Sequence, residues 1–290
     1  MAPPASVEAL LRETAAWLAA AGVERPRWTA AQLAAAVLEC EPVALIVEPP
    51  AIGPEAAGEV RRRVTRRAHG VPLQHLTGVA GFFGHDFHVA PGVFIPRPET
   101  ERVVETALRE LARVRRTWPR PTVVDVGTGS GAIAISLTST SDVSTIGFDT
   151  NPQALGVAQR NARRLGVAAR TRWVRADLLA ACADTQVDLV VANLPYLPSS
   201  TLSTLPREVQ WDPGSALDGG PDGLDLIRRL VAQAAARLRL EGVVILEVGA
   251  GQAGLLRRAY AAQWETIDVV LDDTGIERVV VMRRPRASRG

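Results

Sequence analysis

Three glycines at alternate positions, Gly127, Gly129 and Gly131, follow the apolar stretch Val123-Val124-Asp125-Val126 and precede the helix-forming run Ala132 to Leu137. A buried strand, a glycine-dense turn that also carries Thr128 and Ser130, and a helix start are the local recipe for holding a nucleotide-like cofactor. Glycines let backbone approach the ligand, and the helix N-terminus offers free N–H groups. Gly127, Gly129 and Ala132 also satisfy the dinucleotide pattern G-x-G-x-x-G/A, with Asp149 about 20 residues on, where a nicotinamide enzyme keeps its ribose-binding acid. A tight strand–helix turn with no ligand is the third option. Asp125 separates these readings. A carboxylate just before the first glycine would repel a pyrophosphate, whereas S-adenosylmethionine has no phosphate and carries an ammonium and a sulfonium. The charge pattern favours the methyl donor.

A second constellation, Asn193-Leu194-Pro195-Tyr196, follows the buried run Val187 to Ala192. A turn built on an Asx side chain and a proline would account for the residue types, but not for their place after this strand in a chain with the glycine loop. The stretch resembles the Asn-Pro-Pro-Tyr motif of methyltransferases that modify planar amide or amino nitrogens. An amide nitrogen is a poor nucleophile because its lone pair is delocalised into the carbonyl. The Asn193 side-chain oxygen and the Leu194 backbone carbonyl can grip its two N–H bonds and aim the lone pair at a methyl carbon, which is positioning and electrostatics without a covalent enzyme intermediate. Tyr196 is expected to pack on the planar group. Because the gripping group at 194 is a backbone carbonyl, leucine is compatible with the role.

Positioning these residues takes alternating strands and helices. Strands are predicted over 122–126, 144–149, 170–175, 187–192, 243–248, 266–271 and 278–283, and helices over 131–138, 152–165, 223–239 and 252–263. Such alternation predicts a largely parallel sheet covered by helices on both faces, with ligands at the carboxyl ends of the strands. Asp149, Asp177 and Asn193 fall just after strands. Asp149 is placed to accept ribose hydroxyls and Asp177 with Leu178 to flank an adenine, although Asp149 and Asn151 could instead cap the next helix. Upstream, helical periodicity sets Val7, Leu10, Leu11 and Leu18 on one face with Gly22 as a stop, and Thr29-Ala30-Ala31-Gln32 reads as a capping box for a second helix. A third helix carries Arg61, Arg62, Arg63, Arg66 and Arg67, read as a solvated face. The glycine-punctuated run Phe82 to Val89 predicts a hairpin, in which His85 and His88 point to opposite faces, so no metal is assigned. Pro96-Arg97-Pro98-Glu99-Thr100-Glu101 then stiffens a loop and opens an amphipathic helix, whose acids suit its dipole.

Composition narrows the function class. The 290 residues leave room for a small domain and a larger one, and 47% hydrophobic with 22% charged residues is ordinary for a globular protein. All 33 basic residues are arginine, and the net charge of only +2 weakens the case for a nucleic-acid partner. Cys40 and Cys182 stand far apart in no metal-like spacing, as expected of reduced thiols in a cytoplasmic protein. No signal-peptide order opens the chain and no apolar run reaches the roughly 20 residues a bilayer requires, so no membrane association is expected.

Nearly the whole chain is similar to one family, the bacterial peptide chain release factor N5-glutamine methyltransferases. The resemblance rests on Pro72-Leu73-Gln74-His75-Leu76-Thr77-Gly78, on Ile95 to Glu101, on the Asp125 to Gly131 loop, on Asn161-Ala162, on Asn193 to Tyr196, and on Ala216 to Leu224. It departs at Leu194, where the family has proline, at Leu178, where an aromatic residue often meets the adenine, and at Asp212-Pro213, where a Glu-Pro pair is expected. The family implies a class I S-adenosylmethionine-dependent fold, Rossmann-like with a mostly parallel seven-stranded sheet. It implies a helical substrate-recognition domain over 1–75, a hairpin connector over 76–97 and a methyltransferase domain over 98–290. Cofactor contacts are implied for Asp125, Gly127, Thr128, Gly129, Ser130, Gly131, Asp149, Asp177, Leu178 and Asn193, and substrate contacts for Phe94, Arg97, Glu99 and Asn193 to Tyr196. The implied reaction methylates the Gly-Gly-Gln glutamine of release factors, with a monomer as the expected assembly. N6-adenine methylation of RNA or DNA, since Asn-Leu-Pro-Tyr is typical of ribosomal RNA adenine dimethylases, and a non-catalytic binding protein retaining the fold stay as alternatives.

Overall fold

The computed structural model describes residues 6–182 and 186–283. It divides into two compact units, Met1–Val79 with Pro206–Trp211, and Ala80–Leu205 with Asp212–Gly290.

The first unit is helical: α1 (Val7–Ala20), α2 (Pro26–Leu38), α3 (Ala44–Val47), α4 (Pro54–Ala68) and α5 (Leu73–Thr77). Ser6 caps α1 by accepting from the Ala9 N–H at 3.1 Å, and Val7, Leu10 and Leu18 are buried against α2 and α4 residues such as Leu33 and Val60, with Leu11 only partly covered. The capping box expected at Thr29 does not form. Pro26 starts α2 instead, its fixed φ suiting a first helical position, which leaves Thr29 a turn inside the helix with its hydroxyl donating to the Glu24 carbonyl at 3.4 Å. The arginine row of α4 is also only in part a solvated face. Arg61 makes two 2.8 Å bonds to Glu13, and buried Arg67 pairs with Glu208 from the distant Pro206–Trp211 stretch while donating to the Val71 carbonyl at 3.2 Å.

The second unit begins with the hairpin of β1 (Val79–Phe82) and β2 (His85–His88), whose turn residues Phe83 and Gly84 both take positive φ. His85 bonds Ser139 through Nε2 at 3.0 Å, a structural contact. The sheet that follows comprises β3 (Val123–Val126), β4 (Thr145–Asp149), β5 (Thr171–Arg175), β6 (Val187–Ala192), β7 (Leu238–Glu247), β8 (Thr266–Leu271) and β9 (Glu277–Arg283). Its order is β5-β4-β3-β6-β7-β9-β8, parallel except that β9 runs antiparallel to both neighbours. Strand β7 starts five residues before the expected 243, because Leu238 is fully buried opposite Val187 and that pairing overrides the helical tendency of the Ala-Arg-Leu-Arg run. Helices α6 (Glu101–Val114) and α7 (Ala132–Thr140) cover one face of the sheet through Val104, Leu111 and Ile135. Helix α8 (Pro152–Arg164) packs on that same face beside β4 and β5 through Ala162, and on the other face α9 (Asp225–Arg237) and α10 (Gln252–Tyr260) bury Ile227, Leu230 and Leu256. Strand order reverses between β3 and β6, so their carboxyl ends open the crevice in which sheets of this kind hold ligands. Among the described residues no helix is long and apolar enough to cross a membrane.

Candidate active site

The glycine loop is bent by backbone that side chains resist. Gly127, Gly129 and Gly131 have φ of 74°, 55° and 82°, and the Gly127 and Thr128 N–H groups both donate to the Phe148 carbonyl at 2.9 Å. At Gly127 and Gly131 close packing adds to the conformational demand; at Gly131 a Cβ would stand 2.9 Å from Ile135 and 3.0 Å from Ala158 and Trp173. Asp125 holds the loop from below. Fully buried, its Oδ2 accepts from the Thr128 hydroxyl at 2.6 Å and the Ala134 N–H at 3.1 Å.

Asp125 therefore lies beneath the loop and not in the lining of the cavity above it, and Gly131 is likewise outside that lining. Desolvation instead raises the Asp125 carboxyl from 3.8 to about 7, against the pull of its two donors. An unfolded chain gives up this proton near pH 4 and the folded chain near pH 7, so in between the folded state binds the extra proton and stability falls as pH rises. Asp125→Asn should lose less. Its urea midpoint should move ahead of the wild-type midpoint between about pH 5 and about pH 8, and a constant gap would remove Asp125 as the source of the slope. Glu247, also raised to about 7, titrates in both proteins and cancels in the difference.

The cavity itself lies within the second unit, over the ends of β3, β4 and β6. Gly127, Thr128, Gly129 and Ser130 form its floor, Asp149, Asp177 and Leu178 one side, Phe94 and Thr100 another, and Asn193, Leu194 and Pro195 a third. Asp149 spans the loop and the next helix, accepting from the Gly129 N–H and the Asn151 N–H, each at 2.9 Å. Asn151, rather than Asp149, caps α8 through the Gln153 N–H. Its amide also donates to the Gly92 carbonyl at 3.0 Å and so ties down the segment that carries Phe94. Asp177 pairs with Arg229 at 2.5 Å, and Leu178 adopts φ 51° with its side chain buried.

The Asn193 to Tyr196 segment leaves β6 beside the end of β7. Asn193 donates from Nδ2 to the Thr100 hydroxyl at 3.0 Å, which leaves its Oδ1 as the acceptor offered by the other edge of the amide. Leu194 does more than permit a conformation: its side chain is buried, and a Cβ on Gly127 would come within 2.9 Å of it. Tyr196 does not reach the cavity. Its hydroxyl donates to Glu247 at 3.2 Å, and burial with that neighbouring carboxylate pushes the phenol well above its ordinary range.

Arg97 and Glu99 also lie off the cavity lining. Arg97 pairs with the buried Asp212, whose Oδ1 accepts from the Ile95 N–H at 3.3 Å, and stacks over the Phe94 ring at 5.3 Å. It clamps the 94–97 loop. Among the described residues no three His, Cys, Asp or Glu side chains gather as a metal centre would need.

The PrmC N-terminal domain family matches residues 9–78, and the Ribosomal protein L11 methyltransferase (PrmA) family matches residues 103–198. The release factor glutamine methyltransferase of Moorella thermoacetica is 42% identical over 281 residues, covering 94% of this chain and 97% of that protein. The protein of the same name from Nitratidesulfovibrio vulgaris is 37% identical over 287 residues, covering 97% of this chain and 96% of that one.

The chain belongs to the release factor glutamine methyltransferase family. The fold is shared more widely: the 16S rRNA N2 G1207 methyltransferase of T. Thermophilus, solved with AdoMet and guanosine, superposes with a TM-score of 0.51 at 21% identity, over 71% of this chain and 50% of that one. For a release factor glutamine methyltransferase, the site residues without a role legible in the sequence are Thr100 and Glu247. Thr100 stands inside the quoted Pro98 to Glu101 string, but its acids drew the attention; no local signal marks Glu247, whose role comes from strand pairing.

Proposed function

We propose that this protein transfers a methyl group from S-adenosylmethionine to the side-chain amide nitrogen, N5, of the glutamine in the Gly-Gly-Gln motif of peptide chain release factors. The observation that carries the reading is the Asn193 amide, anchored at Nδ2 and open at Oδ1, in a chain 42% identical over nearly its full length to a release factor glutamine methyltransferase.

The cavity fits the methyl donor by charge. Asp149 and Asp177 line it and no arginine does, an inhospitable set for a pyrophosphate and a favourable one for a ligand bearing an ammonium and a sulfonium. This contrast replaces the one drawn from Asp125. When bound, the sulfonium supplies an activated methyl group. Asp149, already fixed by two backbone donors, accepts from the ribose hydroxyls; Leu178 and Asp177 border the adenine; the 127–130 backbone faces the amino-acid end. The Asn193 Oδ1 and the Leu194 carbonyl accept the two N–H bonds of the substrate amide, so that its nitrogen meets the methyl carbon in line. Holding both groups at contact distance supplies the rate enhancement through lost freedom already spent on binding. Phe94 borders the same space, while Arg97 and Tyr196 act through the loops they brace.

The test is a labelling experiment with tritiated methyl donor and, separately, a release factor, the same factor with Gln→Ala in its Gly-Gly-Gln motif, and total RNA. Label on the intact factor alone is expected; label on RNA and none on the factor would transfer the reading to adenine methylation. In calorimetry, Asp149→Ala should weaken S-adenosylmethionine binding by about 1.5–3 kcal/mol, the worth of charge-assisted hydrogen bonds. Unchanged affinity would take Asp149 out of the site.

A further inference from the structure

An asparagine side chain is nearly symmetrical in shape, so packing alone does not decide whether its oxygen or its nitrogen faces a ligand. The Asn193 site faces that choice in full. Its neighbour Thr100 is 3% exposed and carries one hydroxyl, able either to accept from Nδ2 or to donate its single proton to Oδ1. The second orientation would present an NH2 group to the substrate amide, and two donors facing each other make no bond.

What breaks the symmetry lies one strand away. Ala192 of β6 pairs with Leu246 of β7, so Asn193 and Glu247 leave the sheet side by side. Glu247 is 1% exposed; its Oε1 accepts from Tyr196, the Thr100 hydroxyl lies near the same carboxyl, and Oε2 accepts no hydrogen bond from any group among the described residues. Once ionised, this buried carboxyl is short of donors and claims the threonine proton. Once Thr100 donates to Glu247, its oxygen can only accept, and Asn193 must turn Nδ2 toward it. We propose that Thr100, set by Glu247, is a positioning residue that fixes the Asn193 amide with Nδ2 inward and Oδ1 toward the substrate. The proposal rests on the glutamine-methylation reading and adds to it a device that selects one of two amide orientations.

Thr100→Val keeps the shape and removes the hydroxyl; Thr100→Ser keeps the hydroxyl. On a release factor substrate, Thr100→Val should lower kcat by roughly 10- to 100-fold, the scale of a misplaced reacting group, with KM for S-adenosylmethionine little changed, and Thr100→Ser should restore most of the rate. Thr100→Val added to Asn193→Ala should cost nothing further, since both act through one amide. Independently of any substrate, the Asn193 side-chain NH2 in 15N-labelled wild-type protein, identified by its loss in Asn193→Ala, should show a cross-peak to the Thr100 methyl group and slow exchange that Thr100→Val abolishes. A Thr100→Val enzyme with wild-type kcat, a Thr100→Ser enzyme as slow as the valine variant, or multiplying losses in the double variant would overturn the proposal. Should the wild type prove inactive on release factors, the functional reading fails and the amide spectrum still decides: an Asn193 NH2 without contact to Thr100 rules the positioning out.

Discussion

Asn193→Ala should turn over release factor substrate about 100-fold or more slowly than the wild type, the scale seen on removing one preorganised polar group from a site that stabilises a transition state. The substitution deletes the Oδ1 acceptor and leaves the Leu194 carbonyl to hold the amide alone, so the nitrogen is still near the methyl carbon but no longer aimed at it. Stability should change little. Among the described residues the Asn193 side chain makes one hydrogen bond, the 3.0 Å contact with Thr100, and Leu194 beside it stays buried in the main core. The measurement is single-turnover methylation with saturating donor, together with a urea titration. A rate within a few-fold of wild type would strip Asn193 of its role whatever the family's motif implies.

Gly223→Ala should be the most disruptive single-methyl change in the neighbourhood. Gly223 has φ 77°, and a Cβ there would collide with the Tyr196 carbonyl oxygen and stand 2.7 Å from Gln252 Nε2, the group that donates to that same carbonyl at 2.9 Å. Neighbouring Gly219 is pressed as closely, its Cβ position 2.7 Å from the Pro195 carbonyl. The Asp218–Gly223 turn is thus a backbone shelf under residues 195 and 196, joined to them by the Gly219 N–H donating to the Leu197 carbonyl at 2.9 Å. A left-handed residue forced to carry a side chain, added to overpacking, should cost about 2–4 kcal/mol in urea unfolding. Methylation should fall alongside, because the shelf that gives way sets the height of the gripping carbonyl. An alanine variant as stable and active as wild type would show that the shelf is free to shift.

The alternation of strand and helix, the glycine loop and the acids at strand ends were legible in the sequence because each is a local pattern. Apolar runs of strand length, separated by amphipathic helices, leave few arrangements other than a doubly wound sheet. What escaped depends on partners far along the chain. Asp125 reads as a ligand-facing acid until its burial beneath Thr128 and Ala134 is seen, and Tyr196 reads as a platform for the substrate until its hydroxyl is found on Glu247. Arg97 reads as a docking residue, yet its guanidinium is spent on Asp212, well over a hundred residues away, a pairing no spacing rule announces. The first turn of α2 misled for a different reason: a capping pattern and a proline competed within four residues, and the proline's fixed geometry came first.

The Pro206–Trp211 stretch bears on descent as well as on architecture. Six residues from far along the chain belong to the helical unit, and Glu208 among them neutralises an arginine buried in that unit. The helices are therefore not a self-contained cassette. A recombination event that cut the gene after codon 79 would deliver the helices with Arg67 parted from the counter-charge that it has in this fold. Exchange of this helical unit between relatives must carry two separated stretches of coding sequence at once, so the two structural units are expected to be inherited as one.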